Sequence, residues 1–169
     1  MAKEFDENTC MKGSSHGLRQ EKQILHTTTE ALEVRTNHNG KALYAGRRFH
    51  KGDSITRLGG ELLNKPSKTT IQVDENTHID GFWGNANHSC EPNTYINFED
   101  FTIRALKEIN AGEELSWNYC STDWDFASPF KCRCGSKKCL GDIKGFKYLS
   151  SEQKEELRPY LSMFLSKKI

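Results

Sequence analysis

Three cysteines within the run F-K-C-R-C-G-S-K-K-C-L-G, residues 130–141, constrain this chain more than any other stretch. Cys132 and Cys134 stand too close for an easy disulfide, and Gly135 lets the backbone turn back on itself. Zinc takes four nitrogen or sulfur ligands at tetrahedral corners, so C-x-C-x4-C supplies three and leaves one open. Lys131, Arg133, Lys137 and Lys138 flank the cluster, and their charge offsets the negative charge that a thiolate cage retains. The fourth ligand must come from elsewhere. Cys90 and Cys120 are the serious candidates, and Cys10 lies in a polar leader; spacing does not choose among them. A reduced, cysteine-rich loop without metal is the bland alternative.

The rest of the composition fits a reducing compartment. The start, M-A-K-E-F-D-E-N-T-C, carries acidic residues and no apolar core, unlike a secretory signal. No run approaches the roughly 18 apolar residues of a membrane span. The six cysteines are therefore expected as thiols or metal ligands, inside the cell, in cytoplasm or, in a eukaryote, nucleus. A formal net charge of +1 gives no basic excess for phosphate contact. Direct nucleic-acid binding and membrane association are not expected, and a monomer is. With 169 residues, 35% of them hydrophobic and 28% charged, the chain can bury one real core.

Residues 1–28 read as a loose polar leader. Short strand-like runs follow: Leu32 to Thr36, Ala42 to Ala45, Ser54 to Leu58, and the β-branched Thr69 to Val73. Thr94–Phe98 and Phe101–Leu106 form the clearest hairpin, joined at Glu99-Asp100. Glu114 to Tyr119 reads as another strand. In the last segment, Ser150 and Gln153 resemble a capping box, and Leu157, Leu161, Phe164 and Leu165 keep helical spacing. Pro159 must interrupt or restart that helix. A packing segment is the first reading of this tail, and a partner-binding helix the second.

Three motifs stand in order: N-H-S-C-E-P-N at 87–93, G-E-E-L-S-W-N-Y at 112–119, and the cysteine run. A weaker fourth, G-K-A-L-Y-A, spans 40–45. Each alone is weak. In this order they resemble the SET-domain protein lysine methyltransferases that carry a post-SET zinc loop, from about residue 30 to about 145. The resemblance implies a mainly β fold of small curved sheets, with a C-terminal pseudoknot, a post-SET zinc loop and a short helical tail. On that basis the SET domain is placed at 29–125, the zinc segment at 126–145 and the helical tail at 146–169.

The resemblance also assigns roles. Cys90 closes the zinc site with Cys132, Cys134 and Cys139, rather than serving as a nucleophile, which would need a base and an oxyanion site. S-adenosyl-L-methionine is the implied methyl donor and a protein lysine the acceptor. Asn87 holds the donor by its side-chain amide and His88 largely by its backbone. Lys41, Ala42 and Leu43, with Tyr44 beside them, line its methionine end. Tyr119 lies at the transferring methyl as the catalytic-site tyrosine. Trp117 occupies the position that sets methylation number, and Leu58 the place of a substrate-channel tyrosine.

The pattern departs in four places. Ala42 replaces a glycine, Leu58 removes a channel hydroxyl, Gly84-Asn85-Ala86 precede Asn87 in place of Arg-Phe-aliphatic, and Asn118 replaces an aspartate. These changes keep two other readings open: a non-catalytic, zinc-stabilised interaction module with the same fold, and a methyltransferase acting on a small amine.

Overall fold

The computed structural model describes residues 31–37 and 40–169. The strands run in chain order as β1 (Leu32–Asn37), β2 (Gly40–Ala45), β3 (Ser54–Arg57), β4 (Glu61–Leu63), β5 (Thr70–Asp74), β6 (Thr77–Asp80), β7 (Asn87–His88), β8 (Thr94–Asn97), β9 (Thr102–Ala105), β10 (Ser116–Trp117), β11 (Phe130–Lys131) and β12 (Asp142–Ile143). They form small sheets ordered β1-β2, β3-β9-β8, β4-β6-β5, β7-β10 and β11-β12. Every pairing is antiparallel except β7 with β10. The architecture is mainly β, as expected. The leader lies outside the described residues.

Alternation decides which faces turn inward. In β8 and β9, Thr94, Ile96, Ile103 and Ala105 are buried, while Tyr95 and Arg104 are less so. The hairpin falls where the sequence places it, and its turn holds Phe101 at φ +52. Leu43, Phe49, Ile96, Ile103, Ile109, Leu115 and Trp117 fill one core with little or no exposure.

Two regions differ from the expectation. Glu114–Tyr119 contributes only the two residues of β10, and a 3-10 turn begins at Tyr119. The short β4 and β6 were not foreseen. Their residues include the exposed Leu62, so no apolar run marks them. Gly60 explains part of their geometry: at φ +157, a Cβ there would strike the Asp80 carbonyl oxygen.

The tail follows the capping-box reading. Ser150 accepts from the Gln153 N–H and Gln153 returns the bond to the Ser150 N–H at 2.9 Å, starting α1 (Ser151–Leu157). Pro159 sits in a 3-10 turn over Arg158–Tyr160, and α2 (Met163–Ser166) restarts after it. Phe164 and Leu165 then pack with Phe146 in a second core, against Trp124, Leu149 and Leu161.

Candidate active site and metal centre

The parallel pairing of β7 with β10 sets Asn87 opposite Ser116 and His88 opposite Trp117. This is the juxtaposition that a pseudoknot requires, and side chains hold it. Asn93 donates from Nδ2 to the Glu114 carbonyl at 2.8 Å and accepts at Oδ1 from the Ser116 N–H at 2.9 Å. Thr94 adds a bond from its hydroxyl to the Ser116 carbonyl at 2.9 Å. The last residue of N-H-S-C-E-P-N therefore works as a clamp across the two segments, with both ends of its buried amide satisfied.

His88 ties the same crossing to the cysteines. The Tyr119 N–H donates to His88 Nδ1 at 3.1 Å, so that nitrogen must be bare and Nε2 carries the hydrogen. Nε2 faces Cys90 Sγ at 3.3 Å. Burial pushes the imidazole down to about 4, which keeps it neutral in this role.

Cys90, Cys132, Cys134 and Cys139 present four sulfurs that all lie within 4.8 Å of one another. A tetrahedral zinc with Zn–S near 2.3 Å needs sulfurs roughly 3.8 Å apart; Cys90 and Cys132 are at 3.9 Å. The donor set fits zinc in kind and in spacing. Cys90 also accepts from the Leu140 N–H at 3.3 Å, a bond suited to a thiolate. Burial, followed by the neighbouring Cys132 and Cys134 thiols, pushes the Cys90 thiol up against the opposing Leu140 N–H bond, so a cation is what would favour its ionised form. Cys120, the other candidate, is buried elsewhere, under the turn after Tyr119.

Tyr119 donates its hydroxyl to the Ala86 carbonyl at 2.8 Å. Burial, followed by the Asp123 and Glu114 charges, pushes its pKa well above the ordinary phenol value. It keeps its proton, and its oxygen lone pairs stay free to orient a neighbour. Around it stand Trp117, Phe126 and His88, with ring centres at 5.4, 5.3 and 5.3 Å. Phe130 closes the group at 6.1 Å.

Two of the expected donor-binding residues, Asn87 and Tyr44, meet at the Glu114 carboxylate. Asn87 donates from Nδ2 to Glu114 Oε1 at 2.6 Å. A carboxylate only accepts, so the amide orientation is fixed and Oδ1 is turned away from Glu114. The Tyr44 hydroxyl reaches the other oxygen of Glu114 at 3.4 Å. Ala42 and Leu43 are buried in β2, and Lys41 is exposed beside them. The Leu115 N–H donates to the Leu43 carbonyl at 2.7 Å, binding β2 to the Glu114 segment.

Leu58 is buried in the main core at 6% exposure. A small cavity of about 10 Å³ lies instead against Trp117, Tyr119, Asp123 and Phe126, lined on its other side by Lys68–Thr70 and Gly84. A larger one, about 270 Å³, opens between Cys90, Leu140 and the helical tail, away from Tyr119. Two departures find reasons here. A Cβ on Gly84 would come within 2.5 Å of the Thr69 carbonyl oxygen, so the loop over the small cavity requires glycine. Asn118 caps the turn, accepting at Oδ1 from the Cys120 N–H at 3.0 Å, a task asparagine performs as well as aspartate.

Sequence reasoning missed Glu114, Asp123 and Phe126. Glu114 was visible inside G-E-E-L, where a carboxylate next to a buried leucine needs a partner. Nothing in the run after Tyr119 marks Asp123 as buried.

The SET domain family model matches residues 4–120. The chain belongs to the SET-domain family. It is 31% identical over 130 residues to "Histone-lysine N-methyltransferase trithorax" of Drosophila virilis, covering 62% of this chain and 3% of that one. It is 29% identical over 165 residues to "Histone-lysine N-methyltransferase, H3 lysine-36 specific" of Gibberella zeae, covering 80% and 17%. A 61-residue stretch is 43% identical to "Methyltransferase flvH" of Aspergillus flavus, covering 35% and 34%. The SET chain thus spans about a third, or much less, of the length of these curated relatives. Among solved structures, KRYPTONITE in complex with mCHG DNA and SAH superposes with a TM-score of 0.54 at 21% identity, over 66% of this chain and 28% of that chain. That likeness establishes the SET fold.

Proposed function

We propose that this SET domain transfers methyl groups from S-adenosyl-L-methionine to the side-chain amine of a protein lysine. The observation that carries the reading is the crossing of β7 and β10, which puts Tyr119 beside Asn87 and His88. The relatives named as histone-lysine methyltransferases support the acceptor class.

The donor brings an electrophilic methyl group. This chain's residues must do the rest. Asn87, its Nδ2 held by Glu114, offers Oδ1 to the donor's ammonium group. Lys41, Ala42 and Leu43 supply backbone along the donor, and Tyr44 packs beside it. Tyr119 orients the incoming nitrogen through its free lone pairs and does not take the proton. Trp117, Phe126 and Phe130 exclude water around the reacting atoms. A lysine near pH 7 is neutral in roughly one molecule in 2,500, so desolvation by these rings also favours the reactive form. Cys90, Cys132, Cys134 and Cys139 would hold zinc, whose part would be structural: to fix the loop that sets Phe130 against His88 and the Leu140 N–H against Cys90.

Two measurements test the reading. Calorimetry with S-adenosylhomocysteine should show saturable binding. Incubation with methyl-labelled donor and core histones or other candidate proteins, followed by mass spectrometry, should place the label on lysine. A chain that binds no S-adenosylhomocysteine at millimolar concentration would be a SET-fold module without this chemistry.

A further inference from the structure

Asp123 is a carboxylate that the motifs do not account for. It is 6% exposed and lies four residues beyond Tyr119, on the wall of the small cavity shared with Trp117, Tyr119 and Phe126. The Thr122 hydroxyl donates to its Oδ2 at 2.6 Å. Among the described residues no lysine, arginine or histidine forms an ion pair with it, although Lys68 lines the same cavity. On the same cavity wall, the Trp117 indole N–H is buried and has no hydrogen-bond partner. Buried carboxylates are costly unless paired or coordinated, so one left against a water-sized cavity points to a cation that enters from outside.

We propose that Asp123 receives the acceptor as a cationic primary ammonium and takes its proton before methyl transfer. This rests on the reading of Tyr119 as the acceptor end of the site. A cavity of about 10 Å³ admits one group of roughly water size, which an ammonium head is. The N–H bonding pair stays on nitrogen as its lone pair while the proton passes to a carboxylate oxygen. With the donor's sulfonium charge opposing the ammonium, the charged pair becomes a neutral amine beside a neutral acid. The lone pair then forms the new N–C bond as the donor's C–S bond breaks, its electrons remaining on sulfur.

The electrostatics agree with this geometry. Burial raises the Asp123 carboxyl to about 7, with hydrogen bonds from Thr122 and Gln72 pulling the other way. A base with that value is matched to neutral pH. The titratable groups facing it are Tyr119 and Cys120 on its own turn, both pushed up chiefly by burial and secondarily by its charge, and Lys68 across the cavity.

The test uses the full zinc-loaded chain with ¹³Cγ-labelled aspartate and n-butylammonium chloride as a lysine-head probe. The Asp123 signal is identified by its loss in Asp123→Asn. Saturating n-butylammonium should lower the Asp123 titration midpoint by at least half a pH unit. Asp123→Asn should weaken n-butylammonium binding at least tenfold while leaving S-adenosylhomocysteine affinity within twofold. An unmoved midpoint, or equal n-butylammonium binding in both proteins, overturns the proposal, as does wild type that shows no saturable binding at tens of millimolar. If Asp123→Asn does not fold, its signal is assigned from neighbouring resonances and the wild-type titration decides alone. Calorimetry with S-adenosylhomocysteine on the same sample separates the two readings: no donor-site binding with a moving midpoint refutes the methyl-transfer function and leaves the ammonium site standing.

Discussion

Gly145→Ala tests whether the helical tail braces the turn after Tyr119. Gly145 has φ +120 and ψ 170, a region that essentially only glycine occupies, at a cost to other residues of about 1–3 kcal/mol. An alanine Cβ would also lie 2.6 Å from the Trp124 carbonyl oxygen and 2.9 Å from both Asp125 Cα and Phe126 N. These are backbone atoms in a hydrogen-bonded pair of segments. Phe126 N–H donates to the Lys144 carbonyl at 2.7 Å and Phe146 N–H to the Asp123 carbonyl at 2.8 Å. They cannot swing aside as a side chain would, so overpacking adds about 1–3 kcal/mol. The sum, about 2–6 kcal/mol, corresponds to a fall in Tm of about 5–20 °C for a domain of this size. Gly112→Ala is the control: φ is +83 but no atom lies within 4 Å of its Cβ, so only the left-handed strain of about 1–2 kcal/mol applies. Thermal melts followed by circular dichroism measure both. Equal losses in the two variants, or a Gly145→Ala melt within about 2 °C of wild type, would refute the close contact and with it the bracing role.

Purified protein should carry one zinc per chain by elemental analysis, and Cys90→Ser should lower that content while Cys120→Ser leaves it unchanged. Asn87→Ala should weaken S-adenosylmethionine binding by about 1–3 kcal/mol in calorimetry, because the donor loses its bond to Oδ1 and Glu114 keeps only the Tyr44 hydroxyl of its two partners. Tyr119→Phe should cut single-turnover methyl transfer on the order of a hundredfold with donor affinity barely changed; rates agreeing within about twofold would reduce Tyr119 to packing. Asp123 gives stability a pH dependence. Its folded value, about 7, stands above the unfolded value near 3.9, so the native state binds more protons between them. This contribution is full below about pH 4 and fades as pH rises to about 7, a loss on the order of a few kcal/mol that urea titrations should show in wild type and not in Asp123→Asn.

How much was legible depended on whether a residue's partner was local. Ser150 and Gln153 bond each other within one turn, so four letters sufficed to place the start of α1. The β8–β9 hairpin was equally plain, because alternation and a two-residue turn lie within a dozen positions. Cys90 was different. Its partners are 42 to 49 residues away, and only the resemblance could choose it over Cys120; in the structure its sulfur lies with those of Cys132, Cys134 and Cys139, an arrangement compatible with zinc. Glu114–Tyr119 misled as a strand because its carbonyls and amides go to Asn93 and His88 side chains rather than to a long ladder. Asp123 was invisible for the converse reason: aspartate usually sits in solvent, and its burial comes from Gln72, Phe146 and a tail that no local pattern connects to it.

The departures from the family pattern acquire a common sense around that carboxylate. Gly84 lets Thr69 approach closely on the cavity wall, where a Cβ would meet the Thr69 carbonyl oxygen at 2.5 Å. Leu58 contributes packing to the core in place of the channel hydroxyl that the family pattern expects there. Polarity at the acceptor end then has to come from elsewhere, and beside the Tyr119 hydroxyl the cavity wall offers the Trp117 indole N–H and the Asp123 carboxylate. One donates and the other accepts, unlike a ring of phenols, which can do both. On the proposed reading, such a pair favours an acceptor that arrives charged and must shed a proton, and it disfavours an already neutral nucleophile, which would leave the buried carboxylate without a cation. The tail completes the arrangement, since the Phe146 N–H and the Gln72 side chain hold the backbone at Asp123 and Trp124. On that reading the helical segment beyond the cysteine loop would brace the acceptor end of the site, while the cysteine loop, through Cys90 and His88, reaches the other side of the same tyrosine.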